Sequence, residues 1–199
     1  MKVFILRARK GPASPEMVDG SFGEPDHFEI ISHSIVSALF VSKDIRPDVV
    51  FHLVLESGPA APRTVTMTSG NLMWLGGFHE KAIASVIKRA LTAGARLEGD
   101  QEINVDAGLS VGRTSFERLV RRYTGLMPVF ILDPDGQDLR QTEFSKDACF
   151  IFTDHIPMQK KSFHLLERLG VRGLRLGPKV LFAAHCITIV HNELDRREA

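Results

Sequence analysis

The sequence predicts an α/β protein built on a largely parallel sheet with helices on both faces. Two observations carry this. Short apolar runs rich in strand formers alternate along the chain with segments whose apolar residues recur at helical spacing. Two of those runs, PVFIL (residues 128–132) and CFIF (149–152), are continuously apolar, the pattern of strands covered on both sides. With 199 residues, 44% hydrophobic and 25% charged, the chain is long enough for a full core, and one domain spanning 1–199 is expected.

Taken in order, KVFILRA (2–8) reads as a strand, followed by a Gly/Pro/Ser-bearing loop over residues 11–25. Asp26 with Glu29 gives an N-cap signal, and Phe28, Ile31, Ile35, Ala38 and Leu39 then repeat at helical spacing to about Ser42. DVVFHLVL after Pro47 is a second strand. TVTMT and NLMWL, between residues 57 and 77, predict a pair of short strands on one edge. Ile83, Val86, Ile87, Ala90 and Leu91 mark a helix that stops near Gly94. Thr114 and Glu117 form a capping box, behind which Phe116, Leu119, Val120 and Tyr123 make an apolar face opposite Arg118, Arg121 and Arg122.

PVFIL and CFIF follow as strands, with DPDGQD (133–138) between them a turn by composition. Pro157 opens a helix that turns Leu165, Leu166 and Leu169 inward and ends at Gly170; LRLGP (174–178) is a strand running into a loop. The last segment, HCITIVHNELDR (185–196), is a strand by propensity. Its apolar residues Phe182, Cys186, Ile189, Val190 and Leu194, with Ile187 beside them, fall on one helical face, and a buried C-terminal helix is expected.

Several classes lose their support. No apolar run approaches the roughly 18–20 residues of a membrane span, and residues 1–9 lack the apolar core and cleavage site of a signal peptide, so a cytoplasmic protein is expected. Two cysteines without CxxC spacing read as reduced thiols. The eight histidines show neither HExxH nor finger spacing, and no metal is expected. GxGxxG, P-loop and GxSxG motifs are absent. A net charge of +1 neither announces nor excludes a nucleic-acid partner.

Chemistry in a parallel sheet belongs outside the carboxyl ends of its strands. Three loops qualify there, LDPDG (132–136), TDHIP (153–157) and LGPKV (176–180), each also readable as an ordinary Gly/Pro turn. Cys186 reads as core packing or as a nucleophile, Asp154 as an acid/base group or a helix cap, and the arginine face as solvated or RNA-contacting.

LGP (176–178), AAHCITIVHNELDR (183–196), TDHIP (153–157) and SALFVSKDIRPD (37–48) together resemble the archaeal tRNA pseudouridine-54 N1-methyltransferases and their bacterial relatives, members of the SPOUT class. The resemblance covers nearly the whole chain. It implies a C-terminal trefoil knot, a homodimer, and S-adenosylmethionine held bent by the three loops. Leu132, Thr153, Leu176, Gly177, Pro178, Lys179, Val180 and Leu181 would then touch the cofactor, largely through backbone groups, with Cys186 lining its pocket. Asp154 is the carboxylate expected to take or orient the N1 proton. Arg118, Arg121 and Arg122, with Arg7, Arg9 and Lys10, are expected to bind the tRNA backbone across the dimer. The family usually has glycine where Thr153 and Pro157 stand. Two alternatives stay open: a pseudouridine in another RNA such as rRNA, and an RNA-binding dimer without methyl transfer.

Overall fold

Strand β1 (Lys2–Pro12) is apolar on both sides, so it takes the middle of the sheet: Phe4, Leu6 and Ala8 face one helical layer while Val3 and Ile5 face the other. The computed structural model describes residues 1–19, 28–71 and 76–198. β1 pairs in parallel with β4 (Val49–Ser57) on one side and β9 (Ala148–Thr153) on the other. β8 (Val129–Asp138) lies beyond β9, and β10 (Arg172–Arg175) closes that edge, both parallel. The other half is antiparallel: β5 (Arg63–Thr68), β7 (Leu109–Gly112) and β6 (Glu102–Asp106) complete the order β10-β8-β9-β1-β4-β5-β7-β6. A small ribbon, β2 (Phe40–Val41) and β3 (Asp44–Ile45), stands apart.

Helices α1 (Pro15–Asp19), α2 (Phe28–Leu39), α3 (Glu80–Ala93) and α6 (Ala183–Glu198) cover the face that carries the larger core. Helices α4 (Phe116–Thr124) and α5 (Lys160–Arg168) cover the other. Under α6 the rings of Phe4, Phe150 and Phe130 stack across three neighbouring strands, with centroids 5.7 Å and 5.5 Å apart. Fully burying each such ring is worth about 1.5–3 kcal/mol. α6 packs along α2, where His191 lies 4.6 Å from the Phe4 ring and its Nε2 donates to the Ala38 carbonyl at 3.0 Å. On the opposite face, Nε2 of His52 is 2.6 Å from the Tyr123 hydroxyl and Nδ1 is 2.8 Å from Thr66 Oγ1, which ties α4 to β4 and β5.

Several sequence expectations need correction. The loop expected from residue 11 begins later: β1 runs to Pro12, and Pro15 starts the short α1, since a proline fits the first helical turn, where its missing N–H is not needed. The Asp26 cap and most of NLMWL lie outside the described residues; TVTMT is β5. The cap of α4 is Ser115, whose hydroxyl accepts the Arg118 N–H, while the carbonyl of Thr114 accepts from Thr64 Oγ1. DPDGQD belongs to β8. α5 starts at Lys160, past Pro157, and of the three leucines expected to turn inward only Leu166 is fully buried, Leu169 being the C-cap residue. In α6 the buried stripe includes Ala183, Ala184 and His191; Phe182 precedes the helix and is exposed.

Burial holds both core histidines neutral, pushing His191 down to about 4, with Arg46 adding to the effect, and His52 down to about 3, with Arg122 adding. In the unfolded chain each titrates near 6.5, so between pH 6.5 and 4 the unfolded state binds more protons and stability falls as pH falls. The slope should reach about 1.4 kcal/mol per pH unit for each histidine. Urea midpoints measured between pH 7 and 4.5 should show it, and His191→Gln should flatten it; equal slopes in the two proteins would remove His191 from the account.

Candidate functional site

A cavity of about 730 Å³ opens at the carboxyl ends of β8, β9 and β10, walled by the three loops that the strand-end rule picks out. The first wall is an excursion within β8. Ile131 pairs with Gly173 of β10 and Gln137 pairs with the next residue, Leu174, so residues 132–136 stand out of the ladder between consecutive partners. Two glycines permit this. A Cβ on Gly136 would lie 2.4 Å from the Gly173 carbonyl carbon and 2.5 Å from the Leu174 nitrogen; one on Gly173 would meet Asp133 Oδ2 at 2.8 Å. Asp133 Oδ1 accepts the Asp135 N–H at 3.0 Å, holding the bend and leaving Leu132 and Pro134 to line the cavity.

The second wall follows β9. Asp154 is buried, its N–H donates to the Arg7 carbonyl at 3.1 Å, its Oδ1 accepts from Ile156 N at 2.9 Å, and its Oδ2 accepts from Lys10 N at 3.4 Å. The carboxylate therefore shapes the loop as well as lining the cavity. The third wall is the β10–α6 connection and the first turn of α6. Leu132, Thr153, Leu176, Gly177 and Pro178 all line the cavity, as do Lys179, Val180, Leu181 and Cys186. Cys186 is 5% exposed and its Sγ sits 3.6 Å from the Leu181 carbonyl. Burial pushes this thiol up to about 11, so it is protonated at neutral pH and serves as wall, not nucleophile.

At the mouth, Val180 is 91% exposed and Phe182 66%, an apolar stretch left uncovered by the chain itself. The sequence reading passed over Ile30 of α2, Met158, Phe163 of α5 and His185, which also line the cavity. Met158 and Phe163 flank a helix start, and their apolar type amid QKK was the available signal.

The basic residues divide. Arg121 and Arg122 are exposed on α4, whose inner face is anchored through Phe116, Leu119, Val120 and Tyr123. Arg118 is exposed and paired with Asp100. Arg9 and Lys10 lie at the end of β1, half-buried and exposed respectively. Arg7 corrects the expectation: it is buried beneath the loop, its Nε donates to Glu56 at 3.0 Å, and it presents no charge to an RNA. Its β1 position turns it into the layer of Val3 and Ile5, under α4 and α5. Among the described residues, no three His, Cys, Asp or Glu side chains come together as a metal site, and no helix is long and apolar enough to cross a membrane.

A mostly parallel sheet flanked by helices, with a small-molecule cavity at its strand ends, defines the class as an α/β protein of the cofactor-binding kind. The chain belongs to the family described as "Putative SAM-dependent RNA methyltransferase", which matches residues 1–199. Its cofactor is S-adenosylmethionine. The chain is 43% identical over 195 residues to a "Putative pseudouridine methyltransferase" of Photobacterium profundum, covering 98% of each chain. It is 42% identical over 198 residues to a protein of the same name from Vibrio parahaemolyticus, covering 100% of each. Among solved structures it resembles Nep1 of Archaeoglobus fulgidus bound to S-adenosylhomocysteine, with a TM-score of 0.63 at 10% identity over 100% of this chain and 98% of that one, a likeness of fold.

The cavity fits the cofactor. Its volume lies within the roughly 300–1,000 Å³ of small-molecule sites, and its walls are mostly aliphatic with backbone groups at the loops. Because both nearest neighbours of a Gly136 side chain are backbone, Gly136→Ala must push β10 off β8 at this wall. It should destabilise the protein by about 1–3 kcal/mol, read from denaturant midpoints, whereas Gly177→Ala, with open space around it, should cost far less.

Proposed function

We propose that the protein methylates N1 of pseudouridine in RNA, and we assign position 54 of tRNA as the substrate. The observation that carries this is the strand-end cavity in a chain of an S-adenosylmethionine-dependent RNA methyltransferase family, supported by the name its relatives at 42–43% identity bear. S-adenosylmethionine supplies an electrophilic methyl group on a sulfonium, so the protein's task is to align the nitrogen and remove its proton. In this reading the loop residues Leu132, Thr153 and 176–181 hold the cofactor by backbone groups, and Cys186 closes the pocket beside them. The aliphatic walls exclude water from the reacting atoms.

Asp154 is the group we assign to accept or orient the N1 proton as the new N–C bond forms. Its two oxygens each take one backbone N–H, and a carboxylate offers about four acceptor positions, so capacity remains. The exposed side of α4, with Arg118, Arg121 and Arg122, together with Arg9 and Lys10, is assigned to the RNA backbone. The target base must leave its stack to enter the cavity. A homodimer belongs to the same proposal, supported by the uncovered Val180, Leu181 and Phe182 beside the cavity. So does a trefoil threading of residues 129–198 as part of one domain, for which the return of the chain from the edge strand β10 to α6 against α2 is the supporting feature.

The test is transfer of labelled methyl from S-adenosylmethionine to total RNA of a strain lacking the gene, followed by nucleoside analysis and, on the same sample, light scattering. Label in N1-methylpseudouridine from tRNA and a dimeric mass are expected. Label from rRNA would keep the chemistry and change the substrate; cofactor binding without label would favour the RNA-binding reading, towards which Thr153 and Pro157 point. Arg121→Glu with Arg122→Glu should weaken RNA binding and flatten its salt dependence by about two counterions while leaving cofactor affinity unchanged.

A further inference from the structure

Arg7 is a charged side chain buried where the cavity loop, the centre of the sheet and the basic helix meet, and its guanidinium reaches all three. Nε donates to both carboxylate oxygens of Glu56 on β4 at 3.0 Å. Nη1 donates to Ser162 Oγ on α5 at 2.9 Å and contacts Met158 Sδ at 3.2 Å. Nη2 lies 3.5 Å from Glu117 on α4, and the guanidinium carbon stands 4.4 Å over the Phe116 ring. The side chain is only 8% exposed. An arginine so placed must have its donors satisfied, since a buried unpaired charge costs several kcal/mol, and here each donor is used to join a different element.

Two of the partners bear on the cavity. Met158 lines it, and Ser162 lies in the first turn of α5, one residue before Phe163, which also lines it. α5 itself has little else to hold it: Leu166 is its one fully buried residue, and its N-cap residue, Gln159, makes no side-chain capping bond. The apolar contacts that position Met158 and Phe163 are therefore supplemented by one polar clamp, directed from the central strand.

We infer that Arg7 is a positioning residue for the cofactor pocket, holding Met158 and the start of α5 in register with the sheet and with α4. This rests on the reading of the cavity as the S-adenosylmethionine site. Lysine cannot replace it, because a single ammonium at the end of a flexible chain cannot reach Glu56, Ser162 and Glu117 together. Loss of the clamp loosens the Met158–Phe163 side of the pocket while leaving the loops at 132–136 and 176–182 in place; the cost falls on cofactor binding before it falls on turnover.

The experiment is calorimetric titration of S-adenosylmethionine into the wild-type protein, Arg7→Lys, Arg7→Met and Ser162→Ala, with melting curves, and steady-state kinetics for each. Arg7→Lys and Arg7→Met should raise the cofactor Kd and KM by about tenfold or more, with kcat and RNA affinity changed far less, as a misplaced wall predicts. Ser162→Ala, which removes only the α5 end of the clamp and leaves the cavity wall and the Arg7–Glu56 pair in place, should raise the cofactor Kd by about threefold at an unchanged melting temperature. Wild-type cofactor affinity in folded Arg7→Met and Ser162→Ala overturns the inference and leaves the cofactor site standing. Parallel loss of cofactor affinity, RNA affinity and kcat in step with the melting temperature also overturns it, reducing Arg7 to a general stabiliser. A wild-type protein that binds no S-adenosylmethionine overturns the cavity reading and this inference with it.

Discussion

At Gly136 two backbones come closer than any side chain would allow, and Gly173 leaves the room that the Asp133 side chain takes, so that one wall of the cavity rests on both glycines. The approach lets β10 resume its pairing with β8 after residues 132–136 have left the ladder. The excursion thereby becomes a wall without ending the strand. From β10 the chain enters the 176–182 stretch, so the position of the third wall, and of the α6 start behind it, is inherited from that same contact. Two of the three loops around the cavity thus depend on a single backbone juxtaposition. The remaining one depends on Asp154, whose carboxylate takes N–H groups from its own loop and from Lys10.

The two faces of the sheet do different work. The larger core, with its row of phenylalanines and the α2–α6 pair locked through His191 and Ala38, fixes the outer shape. The smaller core beneath α4 and α5 contains polar ties set among apolar contacts: His52 with Tyr123, and Arg7 with its carboxylates. These ties specify the rotation of α4 about its axis, since Tyr123 and Phe116 are both held from below, and that rotation sends Arg121 and Arg122 outward.

The parallel half of the fold was legible because strands covered on both faces must be continuously apolar, as PVFIL and CFIF are. The walls of the cavity were legible at the level of loops, since the carboxyl ends of such strands leave few alternatives. The β6–β7 hairpin went unread because it is short and half polar; only the Asp106–Gly108 turn, with Gly108 at φ +71°, marked it. DPDGQD has turn composition yet continues a strand, because composition reports a bend and not whether pairing resumes beyond it. Arg7 was misread for a different reason. A charge at the end of an apolar run looks like the point where a strand meets water, and Glu56, Glu117 and Ser162, which make it interior, lie far away in sequence.

The thin anchoring of α5 has a consequence for how the molecule breathes. A helix with one fully buried residue belongs to the low end of a protein's spectrum of local stabilities, while the stacked strands beneath it share the free energy of global unfolding. Local opening at α5 would carry Phe163 with it and lay one side of the cavity bare while the sheet stays intact. On the proposed reading of the cavity, the way in for a small molecule would then be tied to how often that one helix opens, not to any movement of the strands beneath it.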